Sequence, residues 1–408
     1  MPQINSVVTT NAINTQTRLV RDVSNEVYML HPQVGTVLTF LSHPALQRKF
    51  ETRQTKFEWF EDDYTARWAV NGTTTVANTT ASTVITVTDG TNWVAGDLGY
   101  IPRAINSATV GEIFRVTAVN SNALTVVRGI NGQVMTVDPA AAIAILGPAY
   151  EENSSRPNPK VTAPDAKFGY TQIFRHTFSF SATQMAAATY GAPNGEFERT
   201  KRKRFQEHKR DINRAFLWGA ATQSYTGGPS GNPISTTAGL NSVITTNVLD
   251  GGTTLTKSKW EEFLRMGFAY GDADTKFLFA SPRVVSAINL WAQNFLDVTP
   301  RDTQYGLRVT QLESNHGRLM LVMDRMLEDP TSSNTSGFGG WAFIVNPEDL
   351  ELRILAGNGV NRDTKYVEYD IENQNGVDGM VGEYITEIGL AVRNEKHHAK
   401  LYNVVASS

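Results

Sequence analysis

The sequence contains no cysteine, which excludes disulfides, thiolate metal sites and cysteine nucleophiles together. It also has no long apolar run. The longest, Ala140 to Leu146, falls far short of the roughly 20 residues that cross a bilayer as a helix. The opening stretch, MPQINSVVTTNAINTQT, has no basic region leading into an apolar one, so it does not read as a secretory signal. Charge is scarce. Asp, Glu, Lys and Arg make up 19% of the 408 residues and the net charge is −3. A free-standing nucleic-acid binder needs a basic excess to displace counterions from phosphate, and none is present. The same scarcity leaves few groups to keep a monomer's surface in solution, while the length allows two or three domains with real cores.

The signatures of chemistry are missing too. Gly227-Gly228-Pro229-Ser230-Gly231 lacks the Lys-Ser/Thr that closes a phosphate-binding loop, and SGFGGW (336–341) fails the dinucleotide pattern, so both read as surface loops. The histidines are His31, His43, His176, His208, His316, His397 and His398. They form no His-x-x-x-His or His-Glu-x-x-His pair, and the adjacent His397-His398 reads as a solvated chain end or strand. No Gly-x-Ser-x-Gly elbow exists. Glu61-Asp62-Asp63 lacks the central glycine and distal glutamate of a calcium loop, which favours a structural or intersubunit role. These absences predict a structural protein: no catalysis, no metal, no cofactor.

What is present is organised. Residues 1–17 read as an extended arm, and Leu19, Val23, Val27 and Leu30 space a short amphipathic helix that His31-Pro32 ends. Residues 53–70 read as one aromatic strand. Phe168, Tyr170, Phe174, His176, Phe178 and Phe180 share even positions, the alternation of a strand with one buried face. Between them, 71–150 is nearly free of helix signals. It carries the strands TVITV, GEIFRVTAV and ALTVVRG, with hairpin turns at Asn120-Ser121-Asn122 and Asn131-Gly132, and ends in the linker EENSSRPNPKVTAP. This predicts a small β-barrel or sandwich inserted into a long hairpin. Ser181-x-x-Gln184 opens a short helix as a capping box. The longest helix is predicted from Asn194, as N-cap, to Ala221, roughly 40 Å long. Further helices start at Ser258-x-x-Glu261 and at Ser281-Pro282, and strands dominate after Asp297. The fold class is α+β.

Two residue groups stand out. Phe57, Trp59, Phe60 and Trp68 cannot all face one thin partner strand, and alternation sends Phe57 and Trp59 to one side and Phe60 and Trp68 to the other. With Asp62, Asp63 and Arg67 they form a candidate intersubunit interface. The basic run Arg199, Lys201, Arg202, Lys203 and Arg204 reads either as a face toward DNA phosphates or, preferably, as a solvated helix face paired with acids such as Glu198 and Glu207.

The order of elements resembles the tailed-bacteriophage major capsid proteins of the Hong Kong 97 type. The resemblance rests on DVSNEVYMLHPQVGTVLTFL, an aromatic hairpin, a long helix ending EHKRDINRAFLWGA, then TTAGLNSVI, FLFASPRVVSAINLWAQ and late hairpins. It covers nearly the whole chain from residue 18 and is strongest for the branch with a β insertion in the extended loop. It implies an N-terminal arm (1–52), an extended loop (53–70 and 160–182), an inserted β domain (71–150), a peripheral domain (183–234 and 321–408) with spine helix 194–221, and an axial domain (235–320). It further implies self-assembly through hexamers and pentamers into an icosahedral shell around double-stranded DNA, held by non-specific contact. Portal and decoration proteins are the implied partners, with no membrane involved. Relatives with a fused scaffold carry a helical prodomain; none is visible here, so any scaffold is expected to be a separate protein or absent. Assembly is expected in the host bacterial cytoplasm, for a place in the virion. The other readings are an encapsulin-like compartment, which the β insertion disfavours, and a carbohydrate-binding or tail-adhesion protein, which the long helix disfavours.

Overall fold

The alternation in Phe168–Ser181 holds only from Gln172 onward. In the computed structural model, which describes residues 36–102, 110–156, 161–187, 195–252, 254–295, 298–300, 310–328, 340–370 and 378–407, the stretch is two strands with a break at Thr171. The predicted helix around Leu19–Leu30 lies outside the described residues. Labelled strands are β1 (Lys49–Thr52), β2 (Lys56–Glu61), β3 (Trp68–Val70), β4 (Val84–Thr86), β5 (Asp97–Ile101), β6 (Glu112–Asn120), β7 (Ala123–Val127), β8 (Ala142–Pro148), β9 (Asp165–Tyr170) and β10 (Gln172–Ser181). Helices are α1 (Thr36–Leu41), α2 (Ala182–Ala186), α3 (Glu196–Trp218), α4 (Leu240–Val243), α5 (Lys257–Gly267) and α6 (Pro282–Phe295). In β10, Phe174 and Phe178 are buried as the alternation requires, but in β9 Gly169 is buried and Phe168 is exposed. The break at Thr171 shifts the phase by one residue, which turns every side chain before it to the opposite face.

The single strand expected over 53–70 is instead two, in different sheets: β2 beside β9, and β3 beside β8, while β1, just before them, pairs with the strand Leu350–Gly357. The acidic Glu61-Asp62-Asp63 lies where β2 ends. The Asp62 carboxylate accepts the Asp63 amide N–H at 3.0 Å, a local turn that competes with continuing the ladder.

The chain forms two compact units, one of residues 60–166 and one of 1–59 with 167–408. The smaller unit is all β. Its strands run in the order β3-β8-β5-β6-β7-β4, and Asn71 bridges Val87 so that the two ends of that order meet. Gly72 N–H donates to Thr86 at 2.6 Å and Thr88 N–H to Val70 at 2.9 Å, closing a small barrel. Closure removes the exposed edges of an open sheet. Its interior holds Ile85, Phe114, Leu124, Val137 and Ile143, with Trp93 stacked on Phe114. Ser121 takes a positive φ in the predicted turn between β6 and β7. Asn131-Gly132 also turns, but not between paired strands; the Asn131 side chain ties that loop to Ile113 N–H at 3.0 Å and to the Gly111 carbonyl at 2.7 Å.

One ion pair is sealed in this barrel. Arg128 grips Glu112 through Nε at 2.8 Å and Nη2 at 2.5 Å, and both side chains are fully buried. Arg128 also donates to the carbonyls of Ala77 and Met135. Glu112 accepts the backbone N–H groups of Gly129 at 3.2 Å and Met135 at 2.7 Å. A buried pair holds its place only when its remaining donors and acceptors are satisfied in this way.

The larger unit is mixed α and β, built on two sheets. In the first, β10 pairs along its whole length with the long strand Gly379–Val392, which also pairs with Leu350–Gly357 and Lys365–Asp370. The second centres on Thr275–Ala280, with Gly317–Met323 parallel on one side and Gly340–Val345 antiparallel on the other. Helix α3 packs on β10 and the long strand, burying His208, Ile212, Asn213, Phe216 and Leu217. It is shorter than predicted. Gly195 precedes it without a side-chain cap, and it stops at Trp218 because Gly219 turns extended in a close approach, where a Cβ would lie 2.5 Å from the Ala215 carbonyl oxygen and 2.6 Å from that of Thr237. The expected N-cap, Asn194, lies outside the described residues. Ser181 does cap α2, accepting Gln184 N–H at 3.3 Å. Helix α5 is capped by Thr256, two residues before Ser258, and buries Trp260, Phe263, Leu264 and Gly267 as its spacing requires. Lys276, wholly buried, donates to the carbonyls of Gly267, Tyr270 and His397 at 2.7, 3.1 and 2.9 Å, and burial pulls its pKa down to about 8. Among the described residues, no helix is long and apolar enough to cross a membrane.

Replacing one partner of the barrel's ion pair strands the other. Arg128→Met should destabilise the barrel by about 3–5 kcal/mol, read as faster hydrogen exchange of the β6 and β7 amides. The double replacement Arg128→Met/Glu112→Leu should recover part of that loss; a double variant worse than the single would contradict this role.

Candidate assembly interface

The aromatic residues of 57–68 do not share one fate. Phe57 is buried, 6% exposed, and packs on two glycines: a Cβ on Gly169 would sit 2.6 Å from its ring and one on Gly389 2.9 Å. Trp59, half-buried, stacks on Phe57 with ring centroids 6.1 Å apart. Phe57 therefore belongs to the chain's own core, which corrects its expected place at an intersubunit surface. The glycines supply a flat seat that the aromatic pattern alone does not reveal. Phe60, Tyr64 and Trp68 are 75%, 96% and 68% exposed. Alternation puts Phe60 opposite in phase to Phe57 on β2. On β3, Ala69 points into the barrel, so Trp68 and Val70 point out. Tyr64 carries no periodic signal, and the sequence reading missed it. Asp62, Asp63 and Arg67 are exposed beside these rings, and the Arg67 carbonyl accepts Ile145 N–H at 2.8 Å. Three exposed rings within nine residues are the kind of surface that aromatic-rich interfaces use.

The basic run occupies the first turns of α3 and is largely paired. Arg199 forks Glu196 at 2.9 and 2.8 Å. Lys201 lies 3.5 Å from Glu198 and 3.3 Å from Glu368, with its ammonium 4.0 Å above the Tyr366 ring. Lys203 and Arg204 share Glu207 at 3.9 and 2.7 Å. Arg202 is exposed. Glu198 and Glu207, the acids expected for a paired face, both take part.

The structure also brings together residues that the sequence placed only on separate buried faces. His176 of β10 and His208 of α3 meet with their Nδ1 atoms 2.8 Å apart. His176 Nε2 lies 2.8 Å from the Asp211 carboxylate, and His208 Nε2 lies 2.7 Å from the Thr386 hydroxyl on the long strand. With both rings neutral, His176 donates to Asp211 and His208 donates to His176. Burial, and then the neighbouring His176, pulls the His208 pKa down to about 4. Among the described residues, no group of three or more His, Asp or Glu is arranged to hold a metal ion.

The neutral His208 is the form that the fold selects. Its folded pKa lies below the ordinary 6.5, so its stabilising contribution is complete above about pH 6.5 and is lost as pH falls toward 4. His208→Gln should cost about 1–2 kcal/mol at pH 7.5, with the gap to the native chain closing between pH 6.5 and 4; a gap independent of pH would contradict this. Truncating the aromatics should separate them equally clearly. Phe57→Ala should cost about 3–5 kcal/mol of subunit stability, whereas Phe60→Ala and Trp68→Ala should each stay within about 0.5 kcal/mol in denaturant unfolding of the unassembled chain.

The sequence is similar to those of known proteins. The major capsid protein of Pseudomonas phage PaMx41 is 26% identical over 340 residues, covering 77% of this chain and 76% of that protein. Solved structures of low sequence identity are also similar. The Gordonia phage Cozz structure has a TM-score of 0.46 at 12% identity, covering 98% of this chain and 96% of that one. The capsid of a native GTA particle has a TM-score of 0.47 at 8% identity, covering 98% and 100%. The holo-SrpI encapsulin complex from Synechococcus elongatus has a TM-score of 0.40 at 11% identity, covering 60% and 77%. The sequence model of the SU10 major capsid protein family matches residues 6–405. The chain therefore belongs to the SU10 major capsid protein family: it is a phage major capsid protein, a structural part of the virion.

Proposed function

We propose that the chain self-assembles, through hexamers and pentamers, into an icosahedral shell that encloses double-stranded phage DNA, with assembly in the host bacterial cytoplasm. The observation that carries this reading beyond the family is the exposed trio Phe60, Tyr64 and Trp68, flanked by Asp62, Asp63 and Arg67. Leaving three large rings in water forgoes burial worth roughly 1.5–3 kcal/mol for each such side chain, and a shell repeats that gain at every subunit contact. In this reading Phe60 and Trp68 are the anchors of an intersubunit clamp, Trp59 braces the β2 strand against Phe57, and Asp62, Asp63 and Arg67 set register by pairing with charges of the neighbour.

The part names follow from the same reading. Residues 1–52 act as the N-terminal arm, 53–70 and 160–182 as the extended loop, 71–150 as the inserted domain, 183–234 and 321–408 as the peripheral domain with α3 as its spine, and 235–320 as the axial domain. The barrel's own core and sealed ion pair support its folding as an independent unit. Partners are other copies of the chain, a portal, decoration proteins and a separate scaffolding protein.

The test is electron microscopy of the purified chain, with its arm intact and co-expressed scaffold supplied. Closed shells are the expected product, and Phe60→Ala/Trp68→Ala should lower shell yield at least several-fold while leaving subunit unfolding unchanged. A chain that stays monomeric at high concentration, or a double variant that assembles as well as the native protein, would overturn the reading.

A further inference from the structure

A cleft of about 680 Å³ opens on the barrel unit, and none of the exposed trio lines it. It lies where β8, β5 and β6 run side by side. Gly96, just before β5, donates its N–H to the Val116 carbonyl at 2.8 Å and accepts that of Ala149 at 2.9 Å, so the three strands are joined at this point. Its φ of +102° favours glycine. The bare backbone also seats the Tyr150 ring, because a Cβ on Gly96 would come within 2.5 Å of Tyr150 Cε1. The Tyr150 hydroxyl donates to the Ala95 carbonyl at 3.4 Å, yet the residue stays 45% exposed. A flat ring is thus held against the backbone with much of its surface in water.

The charge around this ring is unspent. Arg115 projects outward from β6, since Phe114 and Val116 point into the barrel, and Glu151 and Arg156 follow β8. Among the described residues, none of these three makes an ion pair. The pairing of β6 with β7 slips between Val116 and Ala118, an irregularity of the kind that re-aims side chains beside a site. Trp93, stacked on Phe114, also lines the cleft, and its indole N–H is buried without an acceptor. We propose that this cleft binds an acidic glycan, an oligosaccharide that carries carboxylates among its hydroxyls. Guanidinium forks match a carboxylate in pairs. A simple anion would satisfy the arginines and be repelled by Glu151, whereas a sugar hydroxyl donates to Glu151 and accepts from Trp93. The C–H face of a sugar ring is apolar and suits the Tyr150 ring. The volume falls in the range of small-molecule clefts. The site is separate from the clamp and does not depend on shell formation.

The experiment is calorimetric titration of the full-length chain with tetragalacturonic acid, with maltotetraose and tetraglutamate as the neutral and the non-sugar probes. The native chain should bind the acidic sugar and neither of the others at the same concentration. Arg115→Gln should weaken that binding at least about tenfold, and Tyr150→Ala by about three- to tenfold. Arg265→Gln, which removes an exposed cation of the larger unit, should leave it unchanged. Circular dichroism melting verifies that each variant folds, and Arg156→Gln, on the segment after the last barrel strand, is a second variant expected to weaken binding. A native chain that binds no tetragalacturonic acid at millimolar concentration would overturn the proposal, as would unchanged affinity in folded Arg115→Gln and Tyr150→Ala. Tetraglutamate bound as tightly would mark a general anion patch, and maltotetraose bound as tightly would remove the role of the arginines; either result contradicts an acidic-glycan site.

Discussion

The larger unit depends on the seat of one helix. Helix α3 is 23 residues of strongly polar sequence, and such a helix has little reason to persist alone in water. It persists because a single stripe, His208, Ile212, Phe216 and Leu217, is buried with β10 and the strands beside it. Apolar burial supplies the free energy, and buried polar groups fix the position. Asn213 accepts Leu38 N–H at 3.1 Å and reaches Asp324 at 3.4 Å, and Thr36 donates to the same carboxylate. This network joins α1, α3 and the turn after Gly317–Met323. Burial raises the Asp324 pKa, so its hydrogen bonds are what make the carboxylate tolerable there. On the opposite flank, His176, His208, Asp211 and Thr386 do the same between β10, α3 and the long strand.

With one side of α3 so committed, its other side is free to carry charge, and the first turns show how. Four of the five basic residues that stand out in the sequence are spent on acids one helical turn away or on Glu368. Exposed pairs of this kind contribute little to stability, but they remove charge from reach of a ligand.

Much of this was legible in the sequence where period and turn chemistry agree. The alternation of Phe174, His176 and Phe178 located β10, the i, i+3, i+4 spacing of Trp260, Phe263 and Leu264 located α5, and Asn120-Ser121-Asn122 located a hairpin. The errors fall where tertiary contact overrides local pattern. The sequence does not say that the chain breaks at Thr171, because the break depends on pairing β9 with β2 and β10 with a strand two hundred residues away. Nor does it separate Phe57 from Phe60: both are large aromatics, and only the glycine seats at 169 and 389 decide which is covered. The histidine relay joins positions 32 residues apart in sequence, each of which looked like an ordinary member of a buried stripe. Family membership was carried by the order of elements more than by any one motif, in keeping with a chain whose function is shape.

The central claim is that the exposed trio of the barrel unit is buried only when subunits meet. Hydroxyl-radical footprinting of Phe60, Tyr64 and Trp68 in the unassembled chain and in purified shells tests it directly, with buried Phe114 as the internal reference. The account predicts strong oxidation of Phe60, Tyr64 and Trp68 before assembly and protection of at least Phe60 and Trp68 afterwards, with Phe114 protected in both states. Equal labelling of Phe60 and Trp68 in subunit and shell would contradict it.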